Sequence, residues 1–151
     1  MKFPEWLPVF GDQKYRGDCP QETAEQIAFF GLIRRNYPEH GGIAIHPKNE
    51  AKRKGKDFRA LQKDKALGLT PGASDIIIPG CPAFVCEMKR KDHTKSSWQK
   101  DQIPYLESCK NNGAFVCVAL GHEAALEAFN VWIDLVSKLQ THLKGKYPWK
   151  Y

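Results

Sequence analysis

Asp75, Glu87 and Lys89 are the residues whose types and spacing suit chemistry on a phosphate. Glu87 and Lys89 stand two apart in a run that reads as a strand, 83–89, so they project from one face. Asp75 falls in a second strand-like run, 74–78, and Pro79-Gly80-Cys81-Pro82 is short enough to make the two runs a hairpin. A turn at Gly80–Cys81 sets Asp75 opposite Cys86 or Glu87, bringing the three side chains to one patch. Both runs are otherwise apolar, and two carboxylates with an ammonium in such surroundings need compensation. A divalent cation supplies it: Mg²⁺ takes hard oxygen ligands, keeps several waters and is held by one or two carboxylates plus substrate phosphate. Lys89, one strand step beyond Glu87, would orient a water or offset charge in the transition state. A structural ion pair of Lys89 with either acid is the competing reading of so short a triplet.

The elements that must position this patch are legible in outline. Residues 1–19 read as an irregular arm and 20–151 as a single domain, with no repeat or composition break. Pro20 suits the first turn of a helix running to Tyr37, with Pro38 and Gly41-Gly42 as stop signals. A short strand at 43–46 precedes a basic loop and a helix over 57–67 closed by Gly68. After the central hairpin, 97–112 reads as a helix capped by Gly113, with Pro104 expected to kink or restart it. An apolar strand at 114–120 and a long amphipathic helix over 123–144 complete the pattern. The stripe Leu126, Phe129, Trp132, Ile133, Val136 and Leu139 on that helix is spaced for core or dimer packing. Buried strands alternating with helices indicate a layered α/β domain.

The net charge of +6 suits a polyanionic partner, and its distribution says more. Between Lys48 and Lys65 eight Lys/Arg face three acids, and a second cluster (Lys89, Arg90, Lys91, His93, Lys95, Lys100) follows the strand that carries Glu87. Each cluster alone reads as a solvated face, but two of them flanking one acidic patch point to phosphate binding. His46, at the expected strand end, suits either a phosphate contact or a satisfied strand-end histidine. Five cysteines without a CxxC pair suit reduced thiols better than zinc ligands. No apolar run approaches the ~20 residues of a membrane span, and the start lacks a secretory pattern, so a cytosolic location, with no membrane partner, is expected.

Residues 22–120 resemble the VRR-NUC branch of the PD-(D/E)XK nuclease superfamily, in its stand-alone phage and bacterial form. The matching stretches, in order, are Glu22-x-x-x-Gln26, His46-Pro47-x-Asn49 followed by Arg53, Gly68-x-x-Pro71-Gly72-x-x-Asp75, Glu87-Met88-Lys89-Arg90, and a Ser/Gln helix start before Tyr105-Leu106. The resemblance implies a restriction-endonuclease-like core, a mixed central sheet flanked by helices, and Mg²⁺- or Mn²⁺-dependent cleavage of DNA. It makes Asp75 and Glu87 metal ligands, the Met88 carbonyl a third ligand oxygen, and Lys89 the catalytic lysine. Ala73-Ser74 stands where Val-Pro is more usual before the aspartate. On the first helix Glu22 and Glu25 both offer a carboxylate, and the resemblance favours Glu22, four residues before Gln26. On the later helix Gln99 fits a Ser-x-x-Gln pattern from Ser96. Gln102 fits the distance to Gly113 and the Tyr105-Leu106 pair, and is preferred. An amide there would hold water or phosphate.

Asn49, Lys52, Arg53, Arg90, His93 and Lys95 are the expected DNA contacts. The resemblance further implies a homodimer acting on branched DNA such as four-way junctions. A non-catalytic nucleic-acid-binding module of recombination or packaging is the alternative from a different class, and an RNA-acting or restriction-type nuclease a third.

Overall fold

A computed structural model of the chain describes residues 1–47 and 58–143. Its centre is a four-stranded mixed sheet in the order β1-β4-β3-β2, with β1 (Val9–Phe10), β2 (Ile76–Ile78), β3 (Phe84–Lys89) and β4 (Phe115–Leu120). β4 runs parallel to both β1 and β3, while β2 is antiparallel to β3. The helices are α1 (Glu22–Asn36), the single turn α2 (Pro38–Gly41), α3 (Phe58–Ala66), α4 (Gln102–Asn111) and α5 (His122–Leu143).

Alternation along β3 decides which side chains serve the core and which the chemistry. Phe84, Cys86 and Met88 join Phe29, Ile33, Phe129 and Trp132 in a fully buried cluster under α1 and α5. Val85 points the other way, into a second cluster with Leu106 of α4, Val116, Val118 and Leu120. Glu87 and Lys89 continue the Val85 face toward the start of α4. The sheet is therefore covered on both sides, α1 and α5 on one and α4 on the other, as its doubly apolar strands require. Within the α5 stripe, Phe129 and Trp132 are buried and Leu126, Ile133 and Val136 pack partly, whereas Leu139 is exposed.

Several expectations need correction. The arm is not irregular throughout: Val9 and Phe10 pair with Val118 and Ala119, and Pro8 accepts a hydrogen bond from the Val118 amide. That short strand covers the edge of apolar β4, which would otherwise be an open template. The run 43–46 makes no strand, only a bridge from Ile45 to Ile77, because its partner β2 is three residues long and Pro47 follows at once. The later helix starts at Gln102 rather than Ser97. Pro104 thus falls in its first turn, where amides have no intrahelical partner, and no kink follows. Among the described residues no helix is long and apolar enough to cross a membrane.

Candidate active site

The hairpin register pairs Ile76 with Cys86 and Ile78 with Phe84, and one further step sets Asp75 opposite Glu87. Asp75 is fixed there by its Oδ2, which accepts the Met88 amide at 2.9 Å, and by the side chain of Gln26 from α1. His46 Nδ1 lies 2.7 Å from the Asp75 carbonyl oxygen. On β3, Lys89 is 2% exposed and Glu87 wholly buried. Lys89 Nζ donates to Glu87 Oε1 at 2.8 Å and to Gln102 Oε1 at 3.1 Å, and lies over the Trp98 ring, 5.2 Å from its centroid. Gln102 Nε2 donates to the same Glu87 Oε1 in a short hydrogen bond, while its Oε1 also accepts the Gln99 amide. The Gln102 side chain is thus a fixed bracket across the pair.

The other oxygen, Glu87 Oε2, is buried with no hydrogen-bond partner among the described residues. Burial first, and the Asp75 charge second, push Glu87 up to about 8 against the attraction of Lys89. Asp75 is also raised, chiefly by burial, although the Met88 amide and Lys89 pull the other way. Glu22, at the start of α1, joins the same electrostatic neighbourhood. Burial raises it, Lys89 lowers it and Asp75 raises it, and a hydrogen bond to Ser96 helps hold its charge. Three carboxyl groups are thus pushed toward their protonated forms around one ammonium, with a bare acid oxygen among them.

That donor set fits a hard divalent cation. No group of three or more His, Cys, Asp or Glu among the described residues could hold a metal ion unaided. The remaining ligands would have to be water, backbone carbonyl or phosphate oxygens, which is how Mg²⁺ prefers to be held.

The structure thus brings together Asp75, Glu87, Lys89, Glu22 and Gln102, and separates the alternatives. Glu25 is buried elsewhere, its Oε2 accepting from the His122 amide and from His122 Nδ1 at the start of α5. Gln99 contributes only its backbone amide. The amide of Gln102, expected to hold water or phosphate, is instead engaged with Glu87.

Three expected DNA contacts are occupied otherwise. Arg90 donates to the carbonyls of Cys19 and Pro20, and Lys95 Nζ to that of Gly17 at 2.7 Å. His93 is buried with Nε2 3.0 Å from the Gln13 carbonyl oxygen. All three clamp the arm onto the turn after β3 by meeting backbone carbonyls of residues 13–20. Asn49, Lys52 and Arg53 lie outside the described residues. Trp98 was missed; an aromatic residue alone in the polar stretch 94–102 is the signal that marks it.

The sequence matches no known family model and no curated protein. Among solved structures, the fold is similar to that of a VRR_NUC domain protein, with a TM-score of 0.61 and 19% identity. The match covers 80% of this chain and 93% of the other. At that identity the likeness establishes the fold: a mixed sheet flanked by helices, of the kind found in a VRR_NUC domain.

Proposed function

We propose that the protein is a Mg²⁺- or Mn²⁺-dependent endonuclease that hydrolyses phosphodiester bonds in DNA. The observation that carries this reading is the buried Glu87 Oε2, unpartnered among the described residues and set beside Asp75 and Glu22, with an ammonium 2.8 Å from the other oxygen. A structural ion pair alone would leave no acid oxygen bare, because a buried polar atom without a partner costs about 1–3 kcal/mol. Asp75 and Glu87 are the proposed metal ligands, with the Met88 carbonyl as a third oxygen. A bound divalent cation would lower the pKa of a water and polarise the scissile phosphate. Lys89 holds positive charge where the pentavalent phosphate gains negative charge, and Gln102 keeps Lys89 and Glu87 in fixed relation. Glu22 adds a third carboxylate, suited to orienting the attacking water.

Branched DNA such as four-way junctions is the proposed substrate and a homodimer the proposed working form, since two paired sites cut two strands symmetrically. Both rest on the resemblance of the motif series and on the shared fold. The test is incubation with linear, branched and single-stranded DNA, with Mg²⁺, with Ca²⁺ and with excess chelator. Cutting confined to Mg²⁺ or Mn²⁺ supports the reading; full activity in chelator, or DNA bound but never cut, overturns it.

A further inference from the structure

A groove of about 420 Å³ runs along α1 beside the carboxylates. Gln26 opens it at the end where its side chain bonds Asp75, and His46 walls it where its ring meets the Asp75 carbonyl. Ile27 forms the rim and is 69% exposed, an unusual position for so apolar a side chain. Gly31 leaves bare backbone in its floor, with nothing within 4 Å of where a Cβ would stand. At the far end the Arg34 guanidinium lies over the Phe30 ring, 5.1 Å from its centroid. Among the described residues, no carboxylate lines the groove.

A cavity across the α1 N-terminus is a contrast: Asp18, Glu25 and Glu123 line it, together with Lys91 and His122. The groove along α1 therefore suits an anionic ligand with flat apolar faces and hydrogen-bonding edges, and its polar end touches the proposed cutting centre. From Gln26 to Arg34 is about 12 Å along the helix axis, long enough to span a nucleotide together with a neighbouring backbone step.

We infer that this groove receives one unstacked nucleobase of the strand being cut, beside the phosphate held at the carboxylates. The inference rests on the nuclease reading and deepens it, since it names the feature of DNA the site selects: a base free to leave its stack. The base lies across Ile27 and the Gly31 backbone, with Arg34 and His46 toward the neighbouring phosphates and Gln26 toward the base edge. Apolar side chains take up extruded bases in this manner, and a guanidinium matches phosphate geometry. Continuous duplex would have to break a stacked pair to supply one, whereas a branch point or flap offers it already loosened.

The test uses the full chain in Ca²⁺, which takes carboxylate and phosphate oxygens without the cutting expected in Mg²⁺, and branched DNA carrying 2-aminopurine at each position beside the branch. Binding is followed by anisotropy and base unstacking by 2-aminopurine emission. Emission at one position should rise severalfold with the wild type and with Gly31→Ala, which leaves the groove open and favours the helix. Gly31→Leu, which fills the groove from an open position, should abolish the rise and weaken binding about tenfold, the scale of one lost base stack. DNA bound without any rise, or a rise that persists in Gly31→Leu, overturns the inference. So does a change in sedimented mass caused by Gly31→Leu, which would make the groove a contact between copies. The two readings separate cleanly: cutting in Mg²⁺ without unstacking leaves the nuclease and removes the groove, and unstacking without cutting does the reverse.

Discussion

Glu87 and Asp92 stand five residues apart, both inaccessible to solvent, and their carboxyl groups are driven in opposite directions. Asp92 sits among donors: the Thr94 hydroxyl and the amides of Gly17 and Thr94 hold it down to about 2. Glu87 has donors on one oxygen, the other has none among the described residues, and burial beside Asp75 pushes it up to about 8. Burial alone does not distinguish a structural acid from a reactive one. The inventory of partners does, because a carboxylate supplied with donors gives up little on leaving water and one without them needs a proton or a cation. The clamp that Asp92 anchors ties the arm to the turn after β3, and Glu87 instead joins Lys89 and Gln102 beside Asp75.

The largest effect expected is on cutting. Glu87→Gln and Lys89→Ala should each lower Mg²⁺-dependent cleavage by about a thousandfold or more while circular dichroism stays native, as for a metal ligand and a group that offsets transition-state charge. Asp92→Asn should lower single-turnover cleavage less than about tenfold on the same scale, yet lower the melting temperature. An Asp92 variant as dead as Glu87→Gln would erase the distinction drawn between the two acids.

The pH dependence of stability without metal sharpens the comparison. Glu87 has a folded value raised from 4.5 to about 8, so the folded state holds a proton that the unfolded chain has lost. Its contribution is complete below 4.5 and disappears as pH rises to about 8. Asp92 is the reverse: lowered from 3.8 to about 2, it stabilises above 3.8 and is lost as pH falls toward 2. Thermal melts in chelator should therefore peak near pH 4–5, and Glu87→Gln should shrink the alkaline-side decline to the part that the raised Asp75 and Glu22 contribute, leaving the acid side unchanged. Added Mg²⁺ should raise the melting temperature most at about pH 8 and above, where its ligand no longer has to release a proton.

Gln102 should come next in size. Gln102→Ala removes the bracket between Glu87 and Lys89 and should lower kcat about tenfold to a hundredfold with KM little altered. Gln99→Ala, whose side chain plays no part in the bracket, should stay near wild type in a steady-state assay.

How far the sequence disclosed this site follows from what each residue's placement depends on. Asp75, Glu87 and Lys89 were readable because strand alternation and a short turn fix their faces locally. The preferences for Glu22 over Glu25 and Gln102 over Gln99 agree with where the side chains lie. Neither could be derived from helical spacing, since residues three apart share a face and tertiary packing decides between them. The 43–46 strand was misread because four apolar-rich residues do not specify whether a partner is long enough to pair with them. β1 was passed over because Val9–Phe10 carries no pattern of its own, and the open edge of β4 recruits it. The arm contacts of Arg90, His93 and Lys95 went unseen for a related reason: a run of cations shows its charge but not the carbonyls that will meet it.

The smallest effect concerns those cations, and it tests the comparison where it is most easily broken. If Arg90 and Lys95 serve the arm, Arg90→Gln and Lys95→Gln should lower the melting temperature through the lost bonds to Cys19, Pro20 and Gly17. Their DNA affinity should fall along a salt series with the wild-type log–log slope, because no phosphate contact has been removed. Neutralising residues between Lys48 and Lys65 should act the other way. Stability should hold, and the slope should flatten by about 0.9 for each duplex phosphate contact removed. Affinity titrations from low to high salt on both sets, beside their melts, separate the two kinds of cation. A flattened slope for Arg90→Gln or Lys95→Gln would mean that the arm gives these side chains up to DNA, and that the clamp opens when substrate binds.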